Sequence, residues 1–189
     1  METAIDTLVR HEPRCVLEWL LSWESSGEDW SSGTQGYCFG SWFAWQCGKE
    51  RLRNLSALTG AKDPYIRVAG AVYLCFEDCE LGMAALRDLM QIEGDPGAWA
   101  ALTLARRGDA RAMPRALQVF ESAGDADMRG VPHQNLQKRL LVLLSNSTKA
   151  SGVPWPERGI DIRTWWRQNA EKIRLVDPWF ETLEKQKVD

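Results

Sequence analysis

The stretch from Asp63 to Glu121 repeats itself, and that constrains the chain more than any single residue. DPYIRVAGAVYL followed by DCELGMAALRDLM returns as DPGAWAALTLA followed by DARAMPRALQVF. Asp63-Pro64 recurs as Asp95-Pro96, 32 residues later, and Cys79, Gly82, Leu86 and Leu89 recur 31 residues on as Ala110, Met113, Leu117 and Phe120. Self-similarity at a period of about 30 residues, with apolar spacing of three and four inside each copy, is the signature of stacked helix–turn–helix units. Neither copy can bury its apolar face alone, so each is expected to pack on a neighbour.

Local chemistry rebuilds each unit. Asp63 is suited to cap a helix whose first position holds Pro64, where a missing N–H costs nothing. Asp63 and Arg67, four apart, form a favourable pair on one face. Gly70 and Ala71 are small enough to let a second helix approach, and that helix carries Leu81, Leu86, Leu89 and Met90. The second copy has Trp99 where the first has Arg67, so the charged pair is absent there. Pro114 lies inside its second helix and is expected to kink or delay it.

The D-P-x-x-R-x-A-x-A-x-x-L opening and the later G-D-x-R-A-x-P-x-A-L opening resemble HEAT-type repeats, in particular those of the phycobilisome-lyase type. The resemblance covers Asp63–Glu121 and extends more loosely to Ser147. It implies an all-α fold: a short right-handed α-solenoid of HEAT-like helix pairs with divergent N-terminal and C-terminal caps. On that reading the chain is a single solenoid domain, with residues 1–60 as the N-terminal cap, 61–147 as repeats and 148–189 as capping helices. The resemblance also implies a non-enzymatic protein-binding module, an adaptor, scaffold or inhibitor, with neutralisation of a toxin as one form of the last. The alternative is an enzyme of HEAT type, bilin lyase-like or DNA glycosylase-like.

The flanks are expected to be helical too. Thr3–Arg10 forms a short helix, and Pro13 opens another with Val16, Leu17, Leu20 and Leu21 as its stripe. Residues 24–36, rich in Ser and Gly, read as a loop. A third helix is predicted over Ser41–Leu58, weakened at Gly48. Ser122–His133 is a polar connection, and Leu136, Leu140, Leu141, Leu143 and Leu144 mark the next helix. Thr148–Glu157 is a loop in which two prolines flank Trp155. Asp161 caps a helix to Arg174, and a last one after Asp177-Pro178 packs Trp179, Phe180 and Leu183.

With 189 residues, 44% hydrophobic and 26% charged, the chain is long enough to bury a sizeable core. No apolar run reaches the ~18 residues of a membrane span. The N-terminus lacks a signal-peptide layout, and five cysteines without framework spacing fit a reducing compartment, so a cytoplasmic location is expected. The net charge of −3 disfavours nucleic acid as partner. The charge is uneven: Met1–Gly48 carries −5, and Arg129–Arg174 carries +6. Such ends can meet opposite patches on a partner or on a second copy.

Chemistry beyond binding is thinly represented. His11 and His133 have no motif around them, and there is no nucleophile elbow, phosphate loop or HExxH helix. Cys75 and Cys79 share a helical spacing, but a tetrahedral metal site needs two more ligands, which Cys38 and Cys47 would have to bring from elsewhere. No catalytic residue, metal or cofactor is therefore assigned. Aligning the second helices puts Glu80, Ala84, Arg87 and Gln91 on one polar face and Arg111, Arg115, Gln118 and Ser122 on its counterpart. Such a face, lining the concave surface of a solenoid, is the candidate binding site. Arginine there favours an acidic or aromatic protein surface. Trp30 and Trp155, read as loop tryptophans, join Arg87, Arg111, Arg115 and Gln118 as candidate contacts.

Overall fold

The structure, a computed structural model, describes residues 11–24, 30–46, 50–120, 131–157, 159–178 and 180. Among these the secondary structure is helical, without a strand, so the protein is all-α. The chain divides into two compact units, Met1–Ile92 and Glu93–Asp189. The division falls between the two repeat copies.

In the first unit, α1 (Pro13–Ser22), α2 (Trp30–Gln46), α3 (Arg51–Leu58), α4 (Pro64–Glu77) and α5 (Cys79–Leu89) follow one another. α4 is central, packing on α2, α3 and α5. Its start is built as the sequence requires. The Asp63 carboxylate accepts from the backbone N–H of Tyr65 (2.9 Å) and of Ile66 (3.1 Å), with Pro64 in the first turn. Asp78 does the same for α5, accepting from Leu81 N at 3.0 Å. Val16, Leu20, Phe43, Leu55, Leu58, Ile66 and Leu74 make the core. The small residues matter where backbones meet. A Cβ on Gly70 would lie 2.6 Å from Leu58 Cβ, and one on Gly82 would lie 2.6 Å from Cys75 Cα.

Two expectations fail here. The Ser/Gly-rich stretch does not remain a loop to residue 36, because α2 begins at Trp30. Packing of α2 against α4 outweighs the poor helix propensity of its glycines. The helix predicted over Ser41–Leu58 is instead the end of α2 and a separate α3. Thr3–Arg10 and Gly48 lie outside the described residues.

The second unit contains α6 (Asp95–Arg106), a 3₁₀ turn (Ala110–Ala112), α7 (Met113–Ala116), a 3₁₀ turn (Leu117–Phe120), α8 (Val131–Ser151), α9 (Ile162–Asn169) and a 3₁₀ turn (Ala170–Lys172). α6 differs from its counterpart α4 at its start. Its N-cap is Gly94, at φ 75°, and Asp95 sits in the first turn instead of capping. Pro114 has the predicted effect: the second helix of this copy is one α turn between two 3₁₀ turns. Ala100, Leu102, Leu104, Met113, Leu117, Leu136, Leu140 and Leu144 are buried. Cys79 and Ala110, at equivalent positions of the two copies, are both exposed in their respective units. They fall in the first turn of their elements, ahead of the buried stripe. Phe120 is half-buried. The predicted Asp161 cap is present, accepting from Thr164 N at 3.1 Å. Phe180 is buried, while Trp179 and Leu183 lie outside the described residues.

Candidate functional site

The candidate contacts fall in different places. Arg87 is exposed in the last turn of α5, in the first unit, and Trp30 opens α2, its side chain lying outside what is described. Arg111, Arg115, Gln118 and Trp155 belong to the second unit.

Arg111 is exposed but turned back on its own segment. Its Nε and Nη2 donate to Asp109 Oδ1 and Oδ2, both at 2.8 Å. This hydrogen bond first, and then the Asp109 charge, raise its pKa against a small desolvation effect. Arg115 is a clasp: Nη1 donates to Gln118 Oε1 at 2.7 Å, and Nη2 donates to the carbonyl of Gly94 at 3.0 Å. It ties the broken second helix to the start of α6. Since the oxygen of Gln118 is taken, its amide nitrogen is the end left for a ligand.

Gln118 lines a groove of about 390 Å³ together with Pro114 and Leu117 on one side and Asp161, Arg163, Trp166 and Arg167 on the other. α9 supplies that second side. Its Asp161 carboxylate accepts from Arg163 Nε through Oδ1 (3.1 Å) and from Thr164 N (3.1 Å) and Thr164 Oγ1 (3.0 Å) through Oδ2. The Thr164 hydroxyl in turn accepts from Arg167 Nη2 at 3.1 Å. One relay therefore caps the helix and holds both arginines. Desolvation pushes the Asp161 carboxyl up, but the hydrogen bonds from Arg163 and Thr164 and the Arg163 charge outweigh it, leaving the pKa below the ordinary carboxylate value.

Trp155 borders a second hollow of about 300 Å³, shared with Thr148, Lys149 and Pro154. The turn that places it follows from Gly152, at φ 66°, which ends α8 and lets Val153 N donate to the Thr148 carbonyl at 3.1 Å. Trp155 is 44% exposed, and its ring lies 5.9 Å from that of buried Trp165. The adjacent tryptophans of α9 thus serve both hollows: Trp165 supports Trp155, and Trp166 walls the groove at Gln118.

Sequence reading missed Arg163, Trp166 and Arg167 as site residues. The available signal was their spacing, since positions 163 and 167 lie four apart on one face of an amphipathic helix. Arg106 and Arg107 are otherwise engaged. Arg106 pairs with Asp177, and both guanidinium groups lie over the Phe180 ring, at 5.0 and 4.8 Å from its centroid. Val176 N and Arg174 N donate to Ser147 Oγ and Ser151 Oγ, both at 2.9 Å, fastening this C-terminal segment to α8.

Among the described residues no group of three or more His, Cys, Asp or Glu is placed to hold a metal. Cys75 is buried while Cys79 is exposed, and Cys47 lies outside the described residues. No helix among the described residues is long and apolar enough to cross a membrane. No family model, curated protein or solved structure matches the chain.

Proposed function

We propose that the chain is a non-enzymatic protein-binding module, an adaptor, scaffold or inhibitor, with toxin neutralisation as one form of the last. On this reading the helix pairs stack as a short right-handed HEAT-like solenoid, and the partner docks on the second unit. The observation that carries it is the surface around α9. An exposed Trp155 packed on Trp165 and a mixed polar and apolar groove at Gln118 flank one short helix, and both use its tryptophans. An exposed indole held by a buried aromatic loses little entropy on binding, which is what an interface anchor requires. Arg115 contributes through its bonds to Gln118 and Gly94, which hold the groove's near side.

Affinity capture from a native lysate of the source cells, followed by mass spectrometry, tests the reading. A specific protein should be recovered with the unaltered chain and lost, at least tenfold, with a Trp155→Ala, Gln118→Ala variant that keeps its helical circular dichroism. Equal recovery with both, or no specific protein with either, overturns it.

A further inference from the structure

We infer that the groove between α7 and α9 selects an acidic peptide segment, seating a carboxylate on Arg163 and Arg167 and an apolar side chain against Pro114, Leu117 and Trp166. The inference rests on the protein-binding reading above and adds the chemistry of the partner.

Four observations carry it. Arg163 and Arg167 both line the groove, one helical turn apart. The single carboxylate in the lining, Asp161, caps α9 and accepts from Arg163, so two cations face one anion and the lining is net positive. Arg167 is exposed, and its Nη2 bond goes to a neutral hydroxyl, so it retains its charge for a ligand. Gln118 presents its amide nitrogen, because Arg115 holds the oxygen. The polar lining is therefore donor-rich, which suits a carboxylate, and the apolar lining suits an aliphatic or aromatic neighbour. The relay from Arg163 through Asp161 and Thr164 to Arg167 fixes the donors before binding, which reduces the ordering cost. The wider charge agrees: Arg129–Arg174 carries +6 in a chain of net −3. The chain's net negative charge also argues against a nucleic-acid strand as occupant.

A displayed library of random twelve-residue peptides is the probe. Panning on the intact chain should enrich sequences with two or more Asp or Glu around an aromatic or aliphatic residue. A selected peptide, measured by fluorescence anisotropy, should bind at least tenfold more weakly to the Arg163→Gln, Arg167→Gln variant and lose affinity as salt rises. These glutamines remove charge without adding a carboxylate beside Asp161, and thermal melting verifies that the variant folds. A Thr164→Val variant should weaken the peptide less, because it removes no charge and only loosens the hold on Asp161 and Arg167.

No enrichment, a neutral or basic consensus, or acidic peptides indifferent to the double variant overturns the inference. So does a twenty-nucleotide thymidine strand that binds more tightly and is lost in the same variant, which would reassign the groove to nucleic acid. Self-association of the chain that the variant abolishes would reassign it to a second copy. Failure here with a captured partner still dependent on Trp155 removes the acidic specificity and leaves the protein-binding reading standing.

Discussion

Gly82→Ala probes the closest backbone approach in the first unit. A Cβ at this position would lie 2.4 Å from Cys75 N, 2.5 Å from Cys75 Sγ and 2.6 Å from Cys75 Cα. Ordinary carbon contacts need about 3.5–4.0 Å, so α5 must move away from α4 by roughly 1 Å. No rotamer change relieves this, because two of the three atoms are backbone. The shift also loosens Leu86 and Leu89, buried on the same stripe. Overpacking costs about 1–3 kcal/mol, and the better helix propensity of alanine returns about 1 kcal/mol, leaving a net loss of up to about 2 kcal/mol. Urea unfolding followed by far-UV circular dichroism measures it. Adding Cys75→Ala removes the sulfur but neither backbone atom, and should rescue little. Stabilisation by Gly82→Ala, or full rescue by Cys75→Ala, would refute a backbone-limited helix pair.

Leu86→Ala and Leu117→Ala each empty a fully buried position of a different unit and should each cost about 2–5 kcal/mol in urea unfolding. A loss below about 0.5 kcal/mol at either would mean that the repeat register is wrong there. Asp63→Ala leaves the N–H groups of Tyr65 and Ile66 without their cap and should cost about 1–2 kcal/mol, with Asp63→Asn milder. Because the folded pKa of Asp161 is lowered, its contribution is complete above the unfolded value of about 3.9 and disappears as pH falls through the folded one. Melting profiles from neutral to acid pH should therefore agree in shape down to about pH 4 for the unaltered chain and Asp161→Asn, with the variant less steep below it. Phe180→Ala removes a buried ring from beneath Arg106 and Arg107 and should cost about 3–5 kcal/mol, read in the same urea titration.

Local chemistry was the legible part. The Asp63 and Asp161 caps, the small residues of α4 and the effect of Pro114 follow from positions only a few residues apart, and each is present. α2 was illegible because its sequence, WSSGTQGYCFGS at the start, opposes helix, and it is packing, chiefly against α4, that supports it. The groove was illegible for a related reason. Gln118 and Arg163 are 45 positions apart in sequence, and nothing short-range brings them together. The polar column was half legible. Arg115 bonds Gln118 and the Gly94 carbonyl, Arg111 turns to Asp109, and the groove's cations come from α9.

The candidate site owes its existence to the point where the repeat is least regular. At Gly82 the first unit has no room for even a Cβ, so α5 runs as an unbroken helix against α4. The corresponding Met113 fills the interior with a whole buried side chain, and a continuous helix is not kept. Pro114 cannot donate to the Ala110 carbonyl, which delays the α turn to Met113, and α7 ends after Ala116 in a tighter turn with three residues per revolution. That turn sends Leu117 inward while leaving Gln118 exposed, and it puts Pro114, Leu117 and Gln118 on the rim opposite Asp161, Arg163 and Arg167. A regular second helix would carry Gln118 about 100° further round from Leu117 at each step, as in any α-helix, instead of the 120° of the 3₁₀ turn. Pro114→Ala should therefore extend the helix toward Ala110 and shift Gln118 in a crystal structure while changing urea unfolding little; an unmoved Gln118 would show that the proline does not set the groove.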